Sequence, residues 1–528
     1  MRVINTRDLL IAIICIIGIQ PLSASPIFNN WANKQPKRNN IENKINKLKS
    51  SGNSLNKLDL AQVDSINISN SNSNWKESEF KVIQIKDINS ILERNNPQLK
   101  ANKAKIMQAK YILNSEISAW YPTLDLSANG LPQYLNGKTY INNSSDLSSE
   151  KWSSSITSTI KWNLIDPART PGIESARKKF EREKYKYLIS IRDLRLESII
   201  AFHKLQKANT ELEIAKNSLN LSRLNLENAK SRLKGGLGTK FELLEAETEL
   251  SRSEQLLARS IGNQKINQLS LGKILHLQPH IIPIVKAPHK IAGIWNKTLE
   301  ESLNAAYDFR KELESASIDI AINNYNAKAA KAATYPIISV VNSLTNSFSK
   351  GQSNVASPNM NTDSSTLSNT IGLNATWSIF DGGRSKALYD YNKSQAKESE
   401  YNLSLVKYKI KNEVEENFLE LQILYKNIRS SYLEVLSTTE ALRLSRMRFN
   451  AGIATQYEVI NKQKDHTDAE VKYNNIIADY NIKLAQMQRE TGINDIKACI
   501  SLEIQANEEK MKDNIESKSY SLATPCQD

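Results

Sequence analysis

Glycine and proline are scarce in this chain, 17 and 14 among 528 residues, too few for an all-β protein built on frequent tight turns. Cysteine is nearly absent. Three residues, Cys15, Cys499 and Cys526, exclude a disulfide-knitted scaffold and a cysteine-ligated zinc module. Five histidines (His203, His276, His280, His289 and His466) form no metal-binding pattern, and Pro279 interrupts any helix that would pair His276 with His280. No glycine-rich phosphate loop and no nucleophile elbow occurs, so the composition argues against an enzyme and calls for no cofactor and no metal. Aromatics make up 7% and mean hydropathy is −0.48, polar for a chain with a compact core. Long apolar runs are missing as well. The apolar stretch from Leu9 to Ile19 is eleven residues, too short to span a bilayer.

That stretch follows Met1-Arg2 and Arg7 and precedes Pro21 and Ser23-Ala24-Ser25, the pattern of a secretory signal peptide over 1–24. Ile13-Ile14 before Cys15 do not fit a lipoprotein acylation site, which leaves Cys499 and Cys526 in the mature chain, able to form one disulfide in an oxidising compartment. An exported chain without a hydrophobic helix enters a membrane only through strands. The net charge is +14, but the basic residues are dispersed among acids and Asn without aromatic interleaving, which reads as a solvated helix surface and not as a nucleic-acid site.

What the chain does have, it has twice. Tyr111, Tyr121 and Pro122 answer to Tyr325, Tyr335 and Pro336; Trp162-Asn-Leu-Ile-Asp166 answers to Trp377-Ser-Ile-Phe-Asp381. Arg232, Gly236, Thr239 and Glu242 answer to Arg448, Gly452, Thr455 and Glu458. The offset stays between 214 and 216, a duplicated half-molecule and not a solenoid period. The expected organisation is an Asn/Ser/Lys-rich disordered extension over 25–84, a first repeat over 85–283, a second over 284–495, and a tail over 496–528.

Each repeat opens with a predicted helix, roughly Ile88 to Trp120 and Leu299 to Thr334, ended by Tyr-Pro. A strand pair follows, Thr123–Gln133 with Ile156–Leu164 in the first copy and Ile337–Phe348 with Ile371–Ile379 in the second, joined by polar loops. Ile371, Leu373, Ala375, Trp377 and Ile379 alternate with polar residues and Gly372, the mark of a strand apolar on one face. Then come rods without Gly or Pro, Ile173 to Lys234 and Arg384 to Ala451, roughly 90–100 Å long as helices. In the second rod Leu403, Val406, Ile410, Val414, Leu421, Leu424, Ile428 and Val435 form a coiled-coil seam flanked by Phe418 and Leu436. Short turns at Lys234–Thr239 and Asn450–Thr455 reverse the chain, with Gly as left-handed cap and Thr as N-cap of returning helices to Leu275 and Glu490.

The fold class is therefore mainly α with a small β portion, in two tandem repeats. Four amphipathic strands cannot close a barrel, and an open edge cannot face lipid. Three chains would supply twelve strands and twelve helical segments, one cylinder in lipid and one in water. The competing reading is a non-conducting periplasmic coiled-coil adaptor or spacer, which would lack strand hairpins recurring at the helix ends.

The chain resembles the TolC family of outer-membrane efflux and secretion channels over about residues 85–495. The resemblance is carried by Asn96-Pro97-Gln98-Leu99, the two Tyr-Pro junctions, Trp377-Ser-Ile-Phe-Asp-Gly-Gly-Arg384, and Arg448-Phe-Asn-Ala-Gly-Ile-Ala-Thr455 with Glu458. It implies a homotrimer with a 12-stranded outer-membrane β-barrel in lipid and a long periplasmic α-barrel, docked to a periplasmic adaptor and an inner-membrane transporter. Gly235, Gly236, Thr239, Gly452 and Thr455 would then lie in the adaptor-docking turns. Glu458, Glu242 and Glu245 are constriction candidates, or else ordinary surface acids favoured near helix N-termini; Asn461 stands where a second acid is often found. Trp162 and Trp377 either mark the membrane interface or pack the junction of strand and helix. Copy one departs from Asp-Gly-Gly-Arg with Asp166-Pro-Ala-Arg169.

Overall fold

The computed structural model describes residues 79–140, 147–353, 360–361 and 363–494. The signal peptide, all but the last residues of the extension, and the tail with Cys499 and Cys526 lie outside the described residues. In chain order the elements are β1 (Glu79–Val82), α1 (Ile88–Asn95), α2 (Pro97–Ser118), β2 (Thr123–Thr139), β3 (Leu147–Ile165), α3 (Arg169–Lys234) and α4 (Lys240–Ile274). The second copy follows with β4 (Ile281–Ile284), α5 (Leu299–Phe309), α6 (Lys311–Ala332), β5 (Ile337–Ser353), β6 (Met360–Asn361), β7 (Ser364–Thr376), α7 (Arg384–Asn450) and α8 (Gln456–Thr491).

The opening helix of each repeat is two helices, not one. In the first copy Asn96 turns extended (φ −71, ψ 117), and its side chain accepts from the amides of Gln98 and Leu99 at 2.8 and 3.3 Å, with Pro97 pre-set for the first helical position. In the second copy Arg310 adopts nearly the same backbone (φ −75, ψ 110) with no proline after it. Its guanidinium is buried and held by Glu413 at 2.6 Å and Glu312 at 3.1 Å, so an ion pair from α7 does there what a cap does in copy one. The extension also ends earlier than expected. Residues 79–82 form β1, which pairs in parallel with β4, Glu79 against Ile281 through Val82 against Ile284.

The 66-residue α3 and 67-residue α7 are rods of about 100 Å. Each packs against α6, with α2 beside α3, in the half that leads to the strands, and against α8, with α4 beside α3, in the half that leads to the turns. On α7 the buried apolar residues Val414, Leu421, Ile428, Val435, Leu442 and Phe449 recur every seven, the spacing that winds neighbouring helices left-handedly. Leu403 and Val406 are only half-buried, and Leu436 is exposed, so the seam starts later than its sequence pattern and runs further, to Phe449. Tyr473, Ile477, Tyr480 and Leu484 of α8 close this core; Leu99, Phe202, Leu205, Leu271 and Leu275 form its counterpart in copy one.

Side-chain amides strap the linker between repeats onto the rods. Gln206 donates to the carbonyls of Ala287 and Pro288 at 3.1 Å, Asn209 to Val285 at 3.2 Å, and Asn481 to Lys290 at 2.9 Å. Those donors occupy carbonyls that an irregular segment cannot pair within a helix or sheet. Buried His203 bonds Gln206 at 2.8 Å, and His289 bonds Asn474 at 2.5 Å, in the same layer. Gly492 ends α8 left-handed (φ 73), and its hydrogen faces the ring of Phe309, where a Cβ would not fit.

Candidate functional site

The strands are longer than their patterns suggested. The order is β2-β3-β5-β7, antiparallel throughout, with β6 pairing the far end of β5. Residues 136–139 and 147–149, expected in a first loop over 136–149, are strand, as are 351–353, 360–361 and 364–367 of the second, expected over 351–367. Conversely, β7 ends at Thr376, so Trp377 and Ile379 fall outside it.

Register decides what this sheet can do. Leu124 lies opposite Ile160, Trp162 opposite Val340, and Val340 opposite Leu373; Ile156 faces Asn346, which faces Leu367. Facing residues share one side of a sheet. One face thus collects Leu124, Leu126, Ile156, Ile160, Leu344, Phe348, Ile371 and Leu373, all exposed to solvent in the single chain. The other carries Thr123, Asp125, Thr157, Thr159, Ser343, Thr345 and Thr370, tied across strands by Thr157 to Thr345 at 3.1 Å and Thr159 to Ser343 at 3.4 Å. The sheet is apolar on one face and polar on the other, and among the described residues β2 and β7 are open edges.

Trp162 and Trp377 occupy equivalent posts. Each indole N–H donates to the carbonyl of a residue two before the Pro-preceding tyrosine's own successor, Trp120 and Thr334 respectively, both at 3.0 Å. They lock the strand exit to the end of the incoming helix. In copy one Arg169 adds its guanidinium over the Trp120 ring at 4.2 Å, and Asp166 caps the amide of Ala168 at 3.1 Å. In copy two Asp381 caps the amides of Gly383 and Ser385 at 3.0 and 2.8 Å, which holds its carboxyl below the usual range, the Ser385 hydroxyl contributing first.

At the other end of the rods the two turns match bond for bond. The amides of Leu237 and Gly238 reach the carbonyl of Arg232 at 2.9 and 3.1 Å; those of Ile453 and Ala454 reach Arg448 at 2.9 and 3.2 Å. The left-handed residues are Gly236 (φ 74) and Gly452 (φ 75). Gly235, the C-cap of α3, is right-handed (φ −77), so the left-handed turn residue is its successor Gly236. Thr239 and Thr455 cap α4 and α8, accepting from the amides of Glu242 and Glu458 at 3.2 and 3.3 Å. The carboxylates then part company. Glu242 returns to the amide of Thr239 at 3.1 Å, closing a capping box, whereas Glu458 pairs with Arg448 at 2.7 Å. Glu245 is half-buried one turn further along α4.

The structure brings the two tips together. Arg232 of the first lies over the ring of Phe449 of the second at 4.7 Å, and Gln456 donates to the carbonyl of Asn225 at 2.7 Å. A buried amide ladder continues inward, Asn225 to Gln463 at 2.7 Å and Gln463 to Ser222 at 2.9 Å. Sequence reading missed this ladder, since Asn and Gln on a polar helix give no periodic signal. It also passed over Leu237 and Ile453, which sit 76% and 72% exposed at equivalent points of the turns, although their recurrence 216 residues apart was visible.

With this geometry in view, comparison with known proteins is informative. The model of the outer membrane efflux protein family matches residues 88–275 and again 303–492. Protein CyaE of Bordetella pertussis is 23% identical over 248 residues, 46% of this chain and 50% of that protein, so the alignment spans half the relative's length. The Campylobacter jejuni CmeC outer membrane channel shares the fold with a TM-score of 0.62 at 15% identity, over 77% of this chain and 85% of that one. The open state of the Neisseria gonorrhoeae MtrE outer membrane channel gives 0.61 at 16% identity, over 77% and 88%. Two family matches, one per repeat, cover the sheet, both rods and both tips: the chain belongs to the outer membrane efflux protein family.

Proposed function

We propose that this chain is one protomer of a trimeric outer-membrane exit duct, a passive conduit of a tripartite efflux or type I secretion assembly. The single observation that carries the reading is the sheet: apolar on one face, polar on the other, and open at both edges. Lipid takes the apolar face, water the polar one, and only further copies satisfy the edges. Twelve strands from three chains would close it.

The rods support assembly as well. Opposite its buried seam α7 exposes Leu405, Leu419, Leu433 and Met447, spaced fourteen apart, apolar side chains left uncovered by the described residues. A neighbouring protomer is the occupant that the family fold and the open edges call for. The tips, with Gly235, Gly236, Thr239, Gly452 and Thr455 in the turns and Leu237 and Ile453 presented outward, would meet a periplasmic adaptor beneath an inner-membrane transporter. Glu458 would form a ring of three carboxylates, each tempered by Arg448. A non-conducting adaptor has no use for a two-faced sheet.

The test is light scattering of the protein in detergent followed by conductance across a planar bilayer. Three copies per particle and discrete channel steps are expected; a monomer, or a trimer that leaves the bilayer sealed, would overturn the reading.

A further inference from the structure

A concavity lies away from both the sheet and the tips. It is a cleft of about 560 Å³ where β1 and α1 meet the end of α4, within the volume range of small-ligand sites. Lys81 of β1, Arg94 of α1 and Lys100 in the first turn of α2 line it, with His276 (φ 50) at its rim and Asp87 as the carboxylate in the wall. None of the three cations takes part in an ion pair among the described residues. Against the single carboxylate of Asp87 the three cations leave the lining with an excess of positive charge, which an entering anion would offset.

We propose that this cleft binds a small multivalent anion, an oligophosphate or polycarboxylate, bridged between Lys81, Arg94 and Lys100. Arg94 supplies a planar fork for two oxygens and the lysines supply point charges, while the Ser90 hydroxyl is already spent on the carbonyl of Asp87 at 2.8 Å. Asp87 opposes binding and sets a limit on affinity. Along α2, 22 residues or about 33 Å separate Lys100's end from the sheet, so a headgroup of lipid around the sheet is out of reach and the anion arrives from solution. The cleft stands apart from the duct reading, since its test measures binding and not conductance.

The experiment is isothermal titration calorimetry of the full chain in detergent at low salt, with inorganic pyrophosphate and, separately, citrate. One site per chain is expected for at least one of them; pyrophosphate alone identifies a phosphate ligand, citrate alone a carboxylate ligand. The triple variant Lys81→Ala, Arg94→Ala, Lys100→Ala should weaken binding at least about tenfold, and Asp87→Asn should tighten it. Lys81, Arg94 and Lys100 are exposed, so an unchanged melting temperature serves as the folding control. Absence of heat with both anions, or a triple variant that binds like the parent, would overturn the proposal.

Discussion

Glu458 is ion-paired to Arg448 across its turn at 2.7 Å, while its counterpart Glu242 instead closes a capping box on the amide of Thr239. Two copies of one sequence motif thus spend the same carboxylate differently. If Glu458 forms the ring proposed for the duct, its partner decides the field. Arg448→Ala should raise single-channel cation preference, and Glu458→Ala should lower it, as read from reversal potentials across a salt gradient. Equal selectivity in parent and both variants would remove Glu458 from the pore.

The helix break tests what holds copy two. Removing Arg310 takes from Glu413 its close partner and leaves Glu312 to Arg489 alone, and Arg310→Ala should cost about 2 kcal/mol. Asn96→Ala removes a neutral cap and should cost about 1 kcal/mol. Chemical denaturation followed by circular dichroism distinguishes them; a larger loss at Asn96 would contradict the ion-pair account.

Acid should loosen the layer under the linker. Burial pushes His203 down to about 4, and His289 likewise, with Lys207 and His203 adding repulsion to the latter. A base whose folded pKa lies below its unfolded value binds more protons when unfolded, so its stability is complete above about pH 6.5 and is lost as pH falls towards 4. For His203 the loss is on the order of 3 kcal/mol. Thermal melts between pH 7 and pH 4 should show it, and His203→Gln should flatten the profile; a variant as acid-sensitive as the parent would refute the assignment.

The two faces of the sheet should respond oppositely to charge. Leu373→Arg puts a cation where lipid is expected and should cost about 2–4 kcal/mol, whereas Thr345→Arg points to the polar side and should be tolerated. The yield of folded trimer in outer-membrane fractions is the measurement. Equal yields would mean that the apolar face is not in lipid.

Much of this was legible in the residues. The rods follow from long stretches without Gly or Pro, the tips from Gly236 with Thr239 and Gly452 with Thr455, and the strands from alternation around Leu373. The helix break at Asn96 was written in Asn-Pro, but proline at a first helical position reads equally as a continuing helix. The break at Arg310 had no local mark, because Glu413, 103 residues away, makes it. The same holds for β1, whose four residues gain order only from β4, some 200 residues further on.

The sequence by itself determined the duplication, the kind of each main element, the length of the rods and the two-sided character of the strands. Those properties are set by neighbours within a few turns, and local periodicity carries them. Only the tertiary structure decided the register that gathers Leu124, Ile160, Val340 and Leu373, with their facing neighbours, into an apolar face, the meeting of Arg232 with Phe449, and the parting of Glu242 from Glu458. Pairings between distant segments depend on which partner wins once the chain is folded, and no stretch of sequence records that competition.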